Sequence, residues 1–401
     1  MKVKPVILCG GAGTRLFPFF KKSPSKQFID FGGWTLLEKT LERIKDPIFA
    51  SPIISTNKIY EKLVRSSLKK KKIKKFKIIL EPFKKNTAPA IITSTLINEI
   101  KIDQPILFLP SDHYIPEKNK FNKILKSNLP NLNNINIFIF GVKPKNPSSD
   151  YGYLLSKKIN NNINKVVKFI EKPSEKKAKK IINQKGYWNS GIVLARKDSI
   201  INNAKKFQRT LFNTCLASIT KSVSKKNTIF LNKKIFNKVK AISFDYAILE
   251  KTEEINSIGL SLPWSDLGSW KEIFKIIKSK TSQIEIKKNT FYRPWGNYKN
   301  FFKGKNFLLK ELTINKKSSI SLQKHYHRAE HWTVINGRPK ITIGKKVFFK
   351  KKNEGVFIPK GSIHRIENIY NERVTIVEAQ LGDILKESDI VRYKDIYGRV
   401  K

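Results

Sequence analysis

Cysteine is nearly absent from the chain. Cys9 and Cys215 are the only two in 401 residues, so no disulfide framework is expected and a reducing cytoplasm is the expected home. Long apolar runs are missing as well. Nothing approaches the ~18–20 residues that a membrane span requires, and "NIFIFGV" reads as a buried strand, so no membrane partner is expected. The first residues carry one lysine and a short apolar run that ends in glycines without a cleavage-like segment, which argues for a first strand rather than a signal peptide. Acids are scarce: 31 Asp and Glu stand against 81 Lys and Arg, for a net charge of +50. Such a surplus suggests a polyanion partner. Only 12 of the 81 basic residues are Arg, however, and the lysines are spread along the whole chain beside abundant Ile and Asn. Phosphate and base readers lean on Arg, and runs such as "KKKKIKK" (69–75) fall between apolar segments, where solvated surface is the simpler reading. No specific nucleic acid partner is expected, only salt-sensitive stickiness to RNA.

What is present is the composition of a folded protein, 40% hydrophobic with aromatics well represented, in a length that holds two or three domains. Residues 3–9 ("VKPVILC") form an apolar run closed by glycines. Short strands are expected at 52–56, 77–81, 105–110 and 135–142. Stretches of helical length and pattern lie between them, at 35–44 and 88–100. Strands alternating with helices imply an α/β sheet with ligands at the carboxyl ends of its strands. This texture runs to residue 277. A polar, Lys-rich linker follows at 278–290, and from 291 to 401 many short strands without intervening helices imply an antiparallel sandwich or barrel.

Two groups of residues carry chemistry. "GGAGTRL" (10–16) follows a strand and should open a helix, so its backbone N–H groups can cradle phosphate. It is neither a Walker A loop nor a dinucleotide fingerprint, because no Gly-Lys-Ser/Thr follows and Leu16 stands where a third glycine would be. Arg15 and Lys26 add the positive charge that phosphoryl chemistry requires. "LFLPSDH" delivers Asp112 to the sheet edge and "LPWSDLGSW" offers Asp266. Two such carboxylates suit a magnesium–triphosphate complex, although each alone reads as a loop or cap residue.

The segments "GGAGTRLFP", "SKQF", "NTAPA", "LPSDH", "DYGY", "FIEKP", "WNSG", "SFDYAILE" and "WSDLGSW" occur in the order of a sugar-1-phosphate nucleotidyltransferase. They resemble in particular the mannose-1-phosphate guanylyltransferases. The resemblance implies a Rossmann-like α/β nucleotidyltransferase domain with a mixed sheet flanked by helices, using GTP and mannose 1-phosphate. Gly10, Gly11, Gly13, Thr14 and Arg15 would cradle the phosphates with Lys26 assisting, and Asn86 and Thr87 would lie near the guanine. Asp112 and Asp266 would bind Mg²⁺. Gly152, Glu171, Lys172, Asn189 and Asp245 would line the sugar-phosphate pocket. Ser25, Phe17 and Lys22 depart from the family's usual Pro, Trp and Arg.

The second group is "LQKHYHRAEHW", which holds three of the five histidines. Residues two apart on a strand share a face, so Gln323 and His325 point together. Glu330 follows five residues after His325, Gly337 seven later, and "PKGSIHRIEN" supplies His364. The spacing resembles the two cupin motifs with Gln in place of the first His. Gln323, His325, Glu330 and His364 would then hold one divalent metal, for which mixed N/O ligation leaves Zn²⁺, Co²⁺ and Mn²⁺ open. His327 and His331 would stand behind the ligands or at the surface. With "RPWG" and "YGR", residues 292–399 also resemble the C-terminal domain of the type II mannose-6-phosphate isomerases, which interconvert fructose 6-phosphate and mannose 6-phosphate. Arg328 and Arg365 are candidates for phosphate binding or charge stabilisation, and the general base is left unassigned. Family members usually carry several dozen residues, including a small β-helical segment, where only about twenty separate Trp270 from Tyr292 here; that leaves open whether the chain forms a homo-oligomer. Two other readings stand beside the bifunctional one: a guanylyltransferase with an inert cupin barrel, and a basic RNA-binding protein that rests on charge alone.

Overall fold

A computed structural model of the chain describes residues 1–11, 25–31, 33–160, 163–280, 289–304, 306–394 and 396–397. Gly13, Thr14, Arg15, Phe17 and Lys22, together with residues 281–288 of the expected linker, lie outside the described residues. The chain divides into two compact units, one of residues 1–29 and 35–266 and the other of residues 30–34 and 267–401. No helix among the described residues is long and apolar enough to cross a membrane.

The first unit is built on a mixed sheet. Strands Lys4–Cys9, Ile53–Asn57, Lys77–Glu81, Pro105–Pro110 and Thr228–Phe230 run parallel at its centre. Lys4–Cys9 and Pro105–Pro110 are nearly continuous apolar runs because both faces are covered. Ile7, Leu107 and Leu109 point into one apolar core, and Val6, Ile106 and Phe108 into the other. The other half of the sheet is antiparallel except where Ile137–Val142 and Ile255–Gly259 run parallel, and it curls on itself. Strand Ile137–Val142 pairs with Ile255–Gly259 on one side and with Tyr187–Arg196 on the other, which closes a ring of five strands through Ile163–Ile170 and Tyr153–Lys158. Helix Leu36–Arg43 begins where the Thr35 hydroxyl accepts from the Glu38 N–H, a cap worth about 1 kcal/mol. Helix Thr87–Thr95 begins at Asn86, whose side chain accepts from the Thr87 N–H at 2.8 Å.

The second unit opens with helix Trp270–Lys280 and is otherwise β-rich. One antiparallel sheet orders strands Thr290–Arg293, Gly296–Lys303, Phe307–Ile314, Val374–Gly382, Arg328–Asn336 and Gly355–Ile358. A second holds Lys346–Phe349, Lys340–Ile343, His364–Asn368, Leu322–His325 and Ile390–Lys394, with the short Ser318–Ser319 beside His364–Asn368. Leu312, Trp332, Val334 and Ile376 of the first sheet share a core with Ile341 and Ile366 of the second. The central strands Phe307–Ile314 and Val374–Gly382 are buried along most of their length, while outlying strands such as Lys346–Phe349 are largely exposed.

Gly296 marks a close approach between strands. Its φ is +144°, and a Cβ there would sit 1.9 Å from the Thr313 carbonyl oxygen. Gly296→Ala is therefore expected to destabilise the second unit by about 2 kcal/mol or more, read as a lowered unfolding midpoint in urea. An unchanged midpoint would contradict the close approach.

Candidate functional site

In the first unit the carboxyl ends of the parallel strands open onto a cavity of about 690 Å³. Strand Lys4–Cys9 lies beside Pro105–Pro110 with Leu8 opposite Pro110, which sets Gly10 and Gly11 next to Ser111 and Asp112 at one edge. A Cβ added at Gly10 or Gly11 would meet nothing within 4 Å among the described residues. Packing therefore does not require glycine there, and the bare backbone faces the cavity. The Lys26 ammonium is buried and bonds the Asp112 carboxylate at 2.7 Å and the main-chain oxygen of Asp266. Burial, the largest single influence, would raise the Asp112 pKa, but the Lys26 charge and hydrogen bond together with His113 outweigh it and hold the group below the ordinary range. The Tyr151 hydroxyl donates to the Asp266 carboxylate at 2.8 Å, and its ring packs on Trp188 and Trp264. Two carboxylates beside open backbone N–H groups suit a magnesium ion shared with phosphate oxygens.

The same cavity is lined by Asn86, Thr87, Gly152, Glu171, Lys172, Asn189 and Asp245. The described residues of the sequence-derived transferase set thus meet at one place. Asn189 donates to Asp245 at 2.8 Å. Burial and then the Asp245 charge push Glu171 up to about 7, against Lys172 at 3.5 Å; burial also raises Asp245. A Cβ at Gly152 would come within 2.5 Å of Glu171 Oε2, so a larger residue there would displace that carboxyl. The Thr87 hydroxyl accepts from the Phe244 N–H, and Asn86 takes a φ of +71°, so both shape the loop as well as the wall.

Sequence reasoning passed over Gln27, Glu81, His113, Tyr151 and Trp264, which line the cavity as well. Glu81 ends an apolar strand, the one signal that could have flagged it. Its carboxyl is buried and accepts from the Ser55 hydroxyl at 2.5 Å. Desolvation pushes it up to about 7 from an ordinary 4.5. Between those values the native state holds a proton that the unfolded chain has released, so stability falls as pH rises and the full cost is present above 7. The cost is on the order of 3 kcal/mol. Glu81→Gln is expected to flatten this slope and to be the more stable form at pH 8, measured by denaturant unfolding at pH 5 and pH 8. Parallel pH slopes in the two proteins would overturn it.

In the second unit, His325, Glu330 and His364 bring one ligand atom each within 4.8 Å of one another, and all three are buried. Gln323 lies directly across from His364 in the sheet and accepts from the Ser321 hydroxyl at 3.0 Å. His364 Nδ1 faces the Ser362 carbonyl at 2.8 Å and His325 Nδ1 the Asp389 carbonyl at 3.3 Å. A carbonyl only accepts, so each Nδ1 carries its proton and each Nε2 is turned to Glu330, at 3.1 Å from His325 and 3.5 Å from His364. His364 Nε2 is buried without a hydrogen-bond partner. A second proton on either ring makes an ion pair with Glu330; a divalent metal would take the lone pairs instead. Burial works against the Glu330 carboxylate, but the imidazoles, His325 foremost, hold it well below the ordinary range. This donor set fits a divalent metal whose ligands are oriented from behind by carbonyls.

Around Glu330 lies a further network. The Trp332 indole N–H donates to Glu330 at 3.1 Å and to Glu378 at 3.0 Å, while Gln380 donates to the same two carboxyls at 3.1 and 2.7 Å. Burial and the Glu330 charge push Glu378 up to about 7. Arg328 is committed to Glu330 at 3.1 Å, to the Lys386 carbonyl at 2.8 Å and to Asp389 at 3.5 Å. Arg365 lies on the opposite face of its strand from His364 and pairs with Glu367 at 2.9 Å. His327 is half exposed and held by Asp389 at 2.8 Å; His331 lies one residue from Glu330 and so faces the other way.

Residues 4–283 match the family model described as nucleotidyl transferase, and residues 280–395 match that described as mannose-6-phosphate isomerase C-terminal. The alginate biosynthesis protein AlgA of Pseudomonas fluorescens is 30% identical over 467 aligned positions, which cover 98% of this chain and 96% of that protein. Mannose-1-phosphate guanylyltransferase 2 of Escherichia coli O157:H7 is 29% identical, with 98% of each chain covered. Both alignments exceed this chain's 401 residues, so the relatives carry segments that it lacks. Among solved structures, mannose-6-phosphate isomerase from Helicobacter pylori superposes with a TM-score of 0.58 at 25% identity, over 66% of this chain and all of that one, 100%. The chain belongs to the nucleotidyl transferase family and carries the mannose-6-phosphate isomerase C-terminal domain at its other end.

Proposed function

We propose that the chain transfers GMP from GTP to mannose 1-phosphate, releasing pyrophosphate and GDP-mannose, and that residues 291–401 interconvert fructose 6-phosphate and mannose 6-phosphate. The observation that carries the first half is the single cavity on which the glycine turn, Asp112, Asp266 and the Glu171–Lys172–Asn189–Asp245 group all open. The names of the relatives supply the sugar and the nucleotide. Residues 1–277 form the transferase in this reading, and residues 278–290 join it to the isomerase.

No protein nucleophile is needed. The phosphate oxygen of mannose 1-phosphate attacks the α-phosphorus of GTP in line, and pyrophosphate leaves. Catalysis is positioning plus neutralisation of charge. Gly10 and Gly11 offer backbone N–H groups to the triphosphate, with Gly13, Thr14 and Arg15 continuing the cradle by family resemblance. Lys26 holds Asp112 ionised and adds its own charge. Mg²⁺ held by Asp112 and Asp266 would offset the phosphate charge. Lys172 neutralises the sugar phosphate, while Glu171, Asp245 and Asn189 hydrogen-bond its hydroxyls.

For the second half, the two facing sheets and the ligand spacing support a cupin barrel. Zn²⁺, Co²⁺ or Mn²⁺ held by Gln323, His325, Glu330 and His364 would polarise the sugar carbonyl. Isomerisation then moves a proton between C1 and C2 through an enediol. Glu378 is the buried carboxyl outside the ligand set on the small cavity between the two sheets of the second unit, and it is the group placed to carry the proton. Two buried free cysteines accord with a cytoplasmic setting.

Asp112→Asn and Asp266→Asn are each expected to cut GDP-mannose formation at least ~100-fold while fructose 6-phosphate isomerisation persists. His325→Ala and His364→Ala are expected to do the reverse and to lose bound metal by elemental analysis. A wild-type protein that makes GDP-mannose but isomerises nothing with any of the three metals would leave a transferase alone. Glu378→Gln is expected to lower isomerase turnover by roughly 10²–10⁴ with metal content unchanged. It should also stop uptake of solvent deuterium at C2; continued uptake would remove Glu378 from the reaction.

A further inference from the structure

Between the two sheets of the second unit lies a small cavity of about 50 Å³, and three of its walls are Gln323, Glu330 and Glu378. Most cations near this site are neutralised by acids: Arg328 by Glu330 and Asp389, Lys310 by Glu387 at 3.2 Å, and Arg365 by Glu367. Arg392 differs. Its Nε is buried without a hydrogen-bond partner, and no carboxylate among the described residues pairs with its guanidinium. It stands directly opposite Gln323 on the neighbouring strand, and Gln323 stands opposite His364. Residues paired across antiparallel strands share a face, so Arg392 projects into the same space as the ligand set and lines the cavity. Arg293 also lines it. Among the described residues its guanidinium has only neutral partners, the Tyr292 carbonyl at 2.9 Å and the Tyr298 hydroxyl at 3.2 Å.

We propose that Arg392, with Arg293 beside it, is the anchor for the phosphate group of the sugar phosphate that the second unit isomerises. The inference rests on the isomerase reading given above and adds the residues that hold the substrate's charged end. Burying an arginine nitrogen without a partner is costly. A phosphate dianion supplies paired acceptors that match the guanidinium fork. The spacing agrees: Arg392 and His364 are two strands apart, about 10 Å between backbones, on the scale of an open-chain hexose from its carbonyl end to its phosphate. The substrate's reacting carbons would then lie at the His325–Glu330–His364 end and its phosphate at the Arg392 end.

The test uses the full-length protein loaded with metal, as wild type, Arg392→Met and Arg392→Lys. Arg392→Met is expected to raise KM for fructose 6-phosphate roughly ten- to a hundredfold, the loss of one or two charge-assisted hydrogen bonds. Its kcat should change little, and Arg392→Lys should recover part of the loss. In parallel, inorganic phosphate should protect the wild-type second unit against thermal unfolding, and should protect Arg392→Met much less. Unchanged KM together with unchanged phosphate protection overturns the proposal. So does a fall in kcat at constant KM, which is the mark of a residue that only shapes the site. Should the wild type isomerise nothing with any metal, the isomerase reading fails by itself. The phosphate-protection comparison then decides Arg392 independently: lost protection in Arg392→Met upholds the anion site, and equal protection overturns it.

Discussion

The ammonium of Lys26 is almost wholly removed from water, at 3% exposure. A cation in that position costs several kcal/mol unless its charge and its donors are met. They are met by Asp112, which follows a central strand, and by the main chain at Asp266, far along the sequence. That requirement ties the strand-end loops of the first unit together and leaves the bare backbone of Gly10 and Gly11 facing the same opening. The site is thus a by-product of neutralising a buried charge: the group that would otherwise be most expensive to bury is the one that fixes where two carboxylates stand.

The second unit obeys the same constraint with the sign reversed. Glu330 is a fully enclosed carboxylate, and two imidazoles, a guanidinium, an indole and a side-chain amide converge on it. Along the strands that carry them, the inward face is polar at Glu330 and Gln380, mixed at Trp332 and Glu378, and apolar at Val334 and Ile376. One alternating face therefore does two things in succession. It seals the sheets with hydrocarbon, and beyond that seal it assembles a nest of ionisable groups in a low-dielectric space, where their mutual attraction is strong.

Much of this was legible in the residues themselves. Four of the five parallel strands announced themselves as short, largely apolar runs, Thr228–Phe230 being unforeseen, and all but one of the expected starts and ends shifted by two residues or fewer. The exception is the segment expected to be helical over 88–100, whose helix ends at Thr95. The histidine and glutamate spacing likewise resolved into one cluster, with His325 and His364 on adjoining strands of the second sheet and Glu330 on a strand of the first; it was the motif resemblance that joined them before the sheets were known. What was not legible depends on cross-sheet or long-range register. Glu378, Asp389 and Arg392 sit in "VTIVEAQLG" and "ESDIVRY", segments with no distinguishing pattern, and they acquire meaning only when strands distant in sequence lie side by side. Arg365 illustrates the converse. It adjoins His364 in the chain, yet the pleat turns it away. The five-strand ring of the first unit was also invisible, since it hinges on one strand, Ile137–Val142, finding two partners. Glu81 looked like an ordinary strand end until the fold buried its carboxyl against the Ser55 hydroxyl.

The single indole N–H of Trp332, divided between Glu330 and Glu378, makes this tryptophan a built-in observer of its surroundings. Its proton is drawn toward whichever carboxyl carries more negative charge, so its magnetic resonance frequency and the emission of the ring both report how charge is distributed between the two acids. Neither signal requires a label or a substrate. Any cation settling among the imidazoles, or any proton arriving on Glu378, would register first as a change in the colour and resonance of one aromatic ring.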